Sequence, residues 1–160
     1  ENPATRLASI KALGFLQFQP AVEDLKKILR DANRVDTEQL TVVISLGNMG
    51  DHSVIPDLKP LLNHEEVNIR WDAALSLAKL GDISGSHILA NLMDRSYYTS
   101  FPEVDYQEAD QAIMVAIQVS SDFTNEVFKG KLMILASEDN NMEIRDTAIK
   151  TLKHVYGYQS

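Results

Sequence analysis

With no cysteine in its 160 residues, this chain has only histidine and the carboxylates as side-chain metal ligands of the usual kind. His52, His64, His87 and His154 are scattered, and none forms a His-x-x-x-His pair or a close His/carboxylate cluster at ligand spacing. The single His-Glu pair, His64-Glu65, lies in a turn and reads as a helix start. Glu103, Asp105 and Asp110 invite comparison with a calcium loop, but the Asp-x-Asp-x-Asp-Gly pattern is missing and Pro102 stands where such loops need a flexible turn. The same carboxylates could in principle work as an acid/base pair, yet nothing in the sequence sets their separation or raises a pKa. There is no glycine-rich phosphate loop and no Gly-x-Ser-x-Gly elbow. The residues therefore predict neither a catalytic site nor a metal or cofactor, and the expected function is surface recognition.

Charge narrows the partner. Fifteen basic residues against 23 acidic give a net charge of −8, which opposes the phosphate contacts that dominate nucleic-acid affinity. The imbalance is local: residues 1–80 carry 9 basic and 11 acidic side chains, residues 81–160 carry 6 and 12. From position 96 to 128 there is no Lys or Arg, while Glu103, Asp105, Glu108, Asp110, Asp122 and Glu126 are present. Tyr97, Tyr98, Phe101 and Tyr106 stand beside these acids. Aromatics anchor contacts and charge steers encounter, so this stretch suits a basic or amphipathic protein segment. The alternative is a solvated acidic loop whose aromatics pack back onto neighbouring helices.

The elements that must carry these residues repeat. Arg6-Leu-Ala-Ser-Ile-Lys-Ala-Leu-Gly14, Gln39-Leu-Thr-Val-Val-Ile-Ser-Leu-Gly47 and Arg70-Trp-Asp-Ala-Ala-Leu-Ser-Leu-Ala78 superpose without gaps. The register returns at Arg145–Lys153 and, more loosely, at Ala109–Ile117. Second apolar segments follow at Pro20–Leu29, Ser53–Leu62 and Ser84–Met93, with a weaker one at Thr124–Ala136. Apolar residues at Ile69, Ala73, Ala74, Leu77 and Leu80 keep helical spacing, and no alternating strand pattern occurs. Gly50-Asp51 and Gly81-Asp82 end one helix and offer a carboxylate to the next. Asn2-Pro3 and Gln19-Pro20 place proline at helix starts, and Pro60 is expected to kink its helix. The pattern predicts an all-α chain of about nine helices in four to five repeats, one domain over residues 1–160, with an irregular insert at 95–106.

The unit from Ile69 to Asp82 resembles the HEAT-repeat family, in particular the bacterial type named after phycobilisome lyases. That resemblance implies an α-α superhelix in which Arg6, Arg70, Arg145, Asp51 and Asp82 are structural; Gln39 departs from the pattern. It also implies that the second helices line a concave face, so Leu7, Leu40, Trp71, Asp110 and Asp146 would form a row, with Trp71 either a contact residue or packed between repeats. HEAT-like hydroxylases hold iron with His-Glu pairs on these helices; the matching positions here hold no such pair. HEAT-like DNA glycosylases need a basic groove, for which Lys11, Arg70, Lys79 and Lys150 are too few. The function expected is a non-catalytic protein-binding scaffold, and the alternative is a bilin-lyase-like tetrapyrrole chaperone or transferase.

The first copy starts on its second helix and the chain lacks a starting Met, so a longer parent array is expected, or self-association through the uncovered N-terminal helix. No run approaches the roughly 18 apolar residues of a membrane span. A cytoplasmic setting is the default reading, and an exported parent stays open.

Overall fold

Four of the α-helices begin at a side-chain cap. The Asn2 side chain accepts the Ala4 N–H, with Pro3 at the first helical position. Asn125 accepts from Val127 and Phe128, and Asn141 from Glu143. Asp105 and Glu108 form a reciprocal capping box, each side chain bonded to the other's backbone N–H. In this computed structural model, which describes residues 2–31 and 33–159, nine α-helices and no strand are found among the described residues. They are α1 (Pro3–Phe15), α2 (Val22–Arg30), α3 (Asp36–Met49), α4 (Ile55–Leu58), α5 (Val67–Lys79), α6 (Ser86–Leu92), α7 (Tyr106–Ser120), α8 (Glu126–Glu138) and α9 (Met142–Tyr156). Short 3₁₀ turns precede α2 and α4 and come after α4 and α6.

Pro60 acts differently from expectation. The helix does not kink; it ends at Leu58 and passes into a 3₁₀ turn over Lys59–Asn63. Proline has no N–H to return to the carbonyl four residues back, so the α-helical ladder cannot continue through it.

The chain forms two compact units, Glu1–Gly85 and Ser86–Ser160. In the first, α3 packs between α1 and α5, and α2 and α4 lie against these helices. Its core includes Leu25, Val42, Val43, Leu46, Leu58, Ala73 and Leu77, all essentially inaccessible to solvent. Each such Leu or Val contributes about 1.5–3 kcal/mol by leaving water. The close approach of the helices rests on two small-residue pairs in the same register. Ser45 Oγ donates to the Ile10 carbonyl at 3.1 Å, and Ser76 Oγ to the Val43 carbonyl at 3.1 Å. A Cβ built on Gly14 would meet Ser45 Cα at 2.7 Å, and one on Gly47 would meet Ser76 Oγ at 2.4 Å. Only glycine lets these helices sit so near.

In the second unit α8 packs on α9, α7 on α9, and α6 on α7. Phe128, Leu132, Ile113, Ile117, Ile144 and Leu152 are buried there. The Tyr156 hydroxyl ties α9 to the α7–α8 connection, accepting from the Asn125 N–H at 3.2 Å and donating to the Asn125 carbonyl at 2.9 Å.

In two copies the first residue of the nine-residue motif holds the turn before its helix. Arg70 donates to the His64 and Glu65 carbonyls at 2.6 and 2.8 Å, and Arg145 to the Asp139 carbonyl at 2.6 Å. Gln39 keeps part of this duty with a long 3.4 Å bond to the Leu29 carbonyl. Arg6 pairs instead with the buried Glu38, which Arg34 holds from the other side. After the helices, Gly50 and Gly81 adopt φ of 73° and 81°, and Asp51 and Asp82 accept the N–H of Ser53 and Ser84, each at 2.8 Å. The Ser53 N–H holds the Asp51 carboxyl below its ordinary pKa.

Candidate functional site

The insert is more ordered than its sequence implies. Past Leu92 the chain turns into a 3₁₀ segment, Arg95–Ser100, started by Asp94, whose side chain accepts the Ser96 N–H. That turn carries Tyr98 inward, where it is 7% exposed and its hydroxyl donates to the Leu92 carbonyl at 2.8 Å. Burial pushes the Tyr98 phenol well above its usual range, so it stays a donor. Tyr97 is half-buried, with its ring centroid 5.9 Å from Tyr98 and 5.0 Å from the half-buried Phe101, both edge-on. Three of the four aromatics thus pack within the insert, while Tyr106 is 66% exposed and lies under the Arg95 guanidinium at 5.3 Å.

Arg95 is the hub. Its Nε and Nη2 bind both oxygens of Asp139 at 3.0 and 2.9 Å, and Nη2 also lies 2.6 Å from Asp110 Oδ1. The Asp139 side chain is fully buried, and it also accepts the Asn141 N–H at 2.9 Å. Asn141 in turn donates to Asp110 Oδ2 at 2.7 Å. Asp110 therefore serves a bridge among the insert, α7 and the α8–α9 connection. Burial works against the Arg95 charge, but Asp139 and Asp110 outweigh it and raise its pKa. Beside this hub Lys131 pairs with Asp94. Burial alone would raise the Asp94 pKa; the hydrogen bonds from Lys131 and Ser96 hold it below the ordinary value.

Of the remaining acids, Glu103 is exposed, and Asp105 is exposed while capping α7. Glu103, Asp105 and Tyr106 stand together at the head of that helix. Trp71, in the first unit, is half-buried on α5, as are Leu7 on α1 and Leu40 on α3 at the same register; Asp110 is half-buried and Asp146 exposed in the second unit. Next to Trp71, burial pushes the Asp72 carboxyl up to about 6, against a smaller opposing pull from Lys79.

Sequence reasoning missed a groove of about 450 Å³ between the 3₁₀ turn and α8. Met93 and Leu135 are its buried apolar part, Ile134 stands 53% exposed at its edge, and Arg95, Lys131 and Glu138 border it. Its only sequence signal is Ile134, an isoleucine out of step with the buried positions Phe128, Leu132 and Leu135. No group of three or more His, Cys, Asp or Glu that could hold a metal occurs among the described residues. No helix among them is long and apolar enough to cross a membrane.

Residues 36–99 match the HEAT-repeat family. The match runs from the start of α3 into the 3₁₀ turn of the insert, covering the second and third copies of the motif. The all-α architecture is that of a HEAT-like repeat fold, and HEAT repeats commonly mediate protein interactions. No curated protein matches the chain.

Proposed function

We propose that this chain is a non-catalytic protein-interaction scaffold whose second unit offers its insert to a basic or amphipathic protein segment. The observation that carries this reading is the exposed group Glu103, Asp105 and Tyr106 at the head of α7, within a stretch from 96 to 128 that holds no Lys or Arg. The HEAT-repeat match supports the scaffold role, since such repeats act by presenting rigid helical surfaces. The Arg95 hub adds rigidity where it is needed, because a preorganised surface loses less entropy on binding. Kinship with the bacterial phycobilisome-lyase type stays part of this proposal, resting on the unit from Ile69 to Asp82.

The test is capture of partners at low and moderate salt by the parent chain and by a Glu103→Lys/Tyr106→Ala variant. A basic protein held by the parent, released by salt and lost by the variant is the expected result. Equal capture by both proteins overturns the insert as the contact. Visible absorbance of the purified protein would instead favour a tetrapyrrole-carrying role.

A second contact has its own observation. Phe15 and Leu16, at the end of α1, are 86% and 70% exposed, and the turn that holds them is pinned by Gln17 and Gln19 to the Asn48 and Met49 carbonyls. Self-association through this end predicts a concentration-dependent mass in sedimentation that Phe15→Ser/Leu16→Ser abolishes.

A further inference from the structure

α6 is seven residues long and stops at Leu92, whereas α8 runs thirteen residues to Glu138. The space beyond the end of α6, between the 3₁₀ turn and α8, is the 450 Å³ groove. Its volume is in the range, about 300–1,000 Å³, that accommodates a small ligand or a few side chains of a peptide. Met93 and Leu135, 1% and 2% exposed, are buried beneath it, so the apolar surface that the groove offers to solvent is that of Ile134.

The charges bordering the groove are unequally committed. Asp94 is taken by Lys131, and Asp139 by Arg95. Glu138 is exposed and makes no ion pair among the described residues. The groove therefore offers apolar surface next to one carboxylate that lacks a cation, in a unit whose residues 86–160 carry 11 acidic and 6 basic side chains. Lys131, fixed on Asp94, repels a cation at the other flank and so gives the site a direction.

We infer that this groove is the anchor site for a basic amphipathic segment of a partner protein, which sets an apolar side chain against Ile134, above the buried Met93 and Leu135, and a Lys or Arg against Glu138. This rests on the scaffold reading above and gives it a location: the exposed acids of the insert steer, and the groove holds. It also gives a role to Ile134, which is 53% exposed while Phe128, Leu132 and Leu135 on the same helix are buried.

The experiment uses the full chain and a fluorescent 18-residue helical Leu/Lys peptide, with Leu/Glu and Ser/Lys peptides as controls. Ile134→Ser and Glu138→Lys alter exposed side chains, and circular dichroism verifies that both variants fold. Each is expected to weaken Leu/Lys binding about tenfold, with neither control peptide binding the parent chain. Amide resonances of Met93, Leu135 and Glu138 should shift on titration. Binding within twofold of the parent by both variants overturns the groove. If Glu103→Lys/Tyr106→Ala weakens binding while the groove variants do not, this inference fails and the insert reading stands; no binding by the parent chain sinks both. A concentration-dependent dimer that Ile134→Ser abolishes makes a second copy the occupant, and overturns the inference as well.

Discussion

The two units solve the same packing problem with different chemistry. In the first, successive repeat helices approach through Gly14 against Ser45 and Gly47 against Ser76, each serine donating to a carbonyl of the helix it touches. In the second, the equivalent helices are α7 and α9, and the small pair is gone: Ile117 stands at the glycine position, and Thr151 turns its hydroxyl to Thr147 of its own helix. A charged hub of Arg95, Asp110, Asp139 and Asn141 ties the elements together instead. Small-residue packing is specific but sealed. The charged hub lies beside the insert and groove through which we propose the protein binds.

The largest way to break the contrast is to remove the buried anion of the hub. Asp139→Ala strands the Arg95 charge with only Asp110 beside it and removes an acceptor from the Asn141 N–H, and is expected to destabilise the second unit by about 3 kcal/mol. Amide exchange should report the loss in α7–α9 and leave α1–α3 protected. A comparable but opposite experiment is Gly47→Leu, which drives a side chain into Ser76 and should cost the first unit about 2–3 kcal/mol. If exchange instead accelerates equally in both units for either variant, they do not have separate sources of stability.

A smaller effect separates the units by pH. The folded Asp72 pKa, about 6, lies above the unfolded value near 3.8, so the folded chain binds more protons between those values and stability falls as pH rises through that window. Acidifying from pH 7 to 4 should therefore protect α5, and Asp72→Asn should erase the slope. Asp94 runs the other way: its pKa is lowered, so its contribution is full above the unfolded value and is lost only as pH falls below about 4 toward the folded pKa. Exchange measured at pH 7, 5 and 3 distinguishes the two signs. Smallest is Gly130→Ala. A Cβ at Gly130 meets nothing within 4 Å, so the change should stabilise α8 by about 0.5–1 kcal/mol through helix propensity, visible as a slight rise in Tm.

Much of the fold was legible because helical repeats write themselves in local periodicity. The apolar stripe around Leu77, the Gly-Asp punctuation at 50–51 and 81–82, and the prolines at helix starts each report on a few neighbouring residues. Pro60 was readable as a disruption, but whether it kinks or ends a helix depends on how the next residues are packed, and here they close into a 3₁₀ turn. The insert was legible as a change of period and charge. Its internal arrangement was not, since Tyr98 and Tyr106 differ little as local signals while one is buried and the other exposed.

By itself the sequence determined the helices, their caps, the turn glycines and the acidic balance of the second half, because each depends on residues within a turn or two or on composition alone. Tertiary structure decided the rest. Asp110, a contact candidate in the sequence, is bonded to partners 15 and 31 positions away, and Gly47, the last residue of a repeat motif, is a contact surface for Ser76. The groove beside α8 is lined by residues from 93–99 and 131–140. Such facts arise from distances between segments far apart in the chain, which no local pattern encodes.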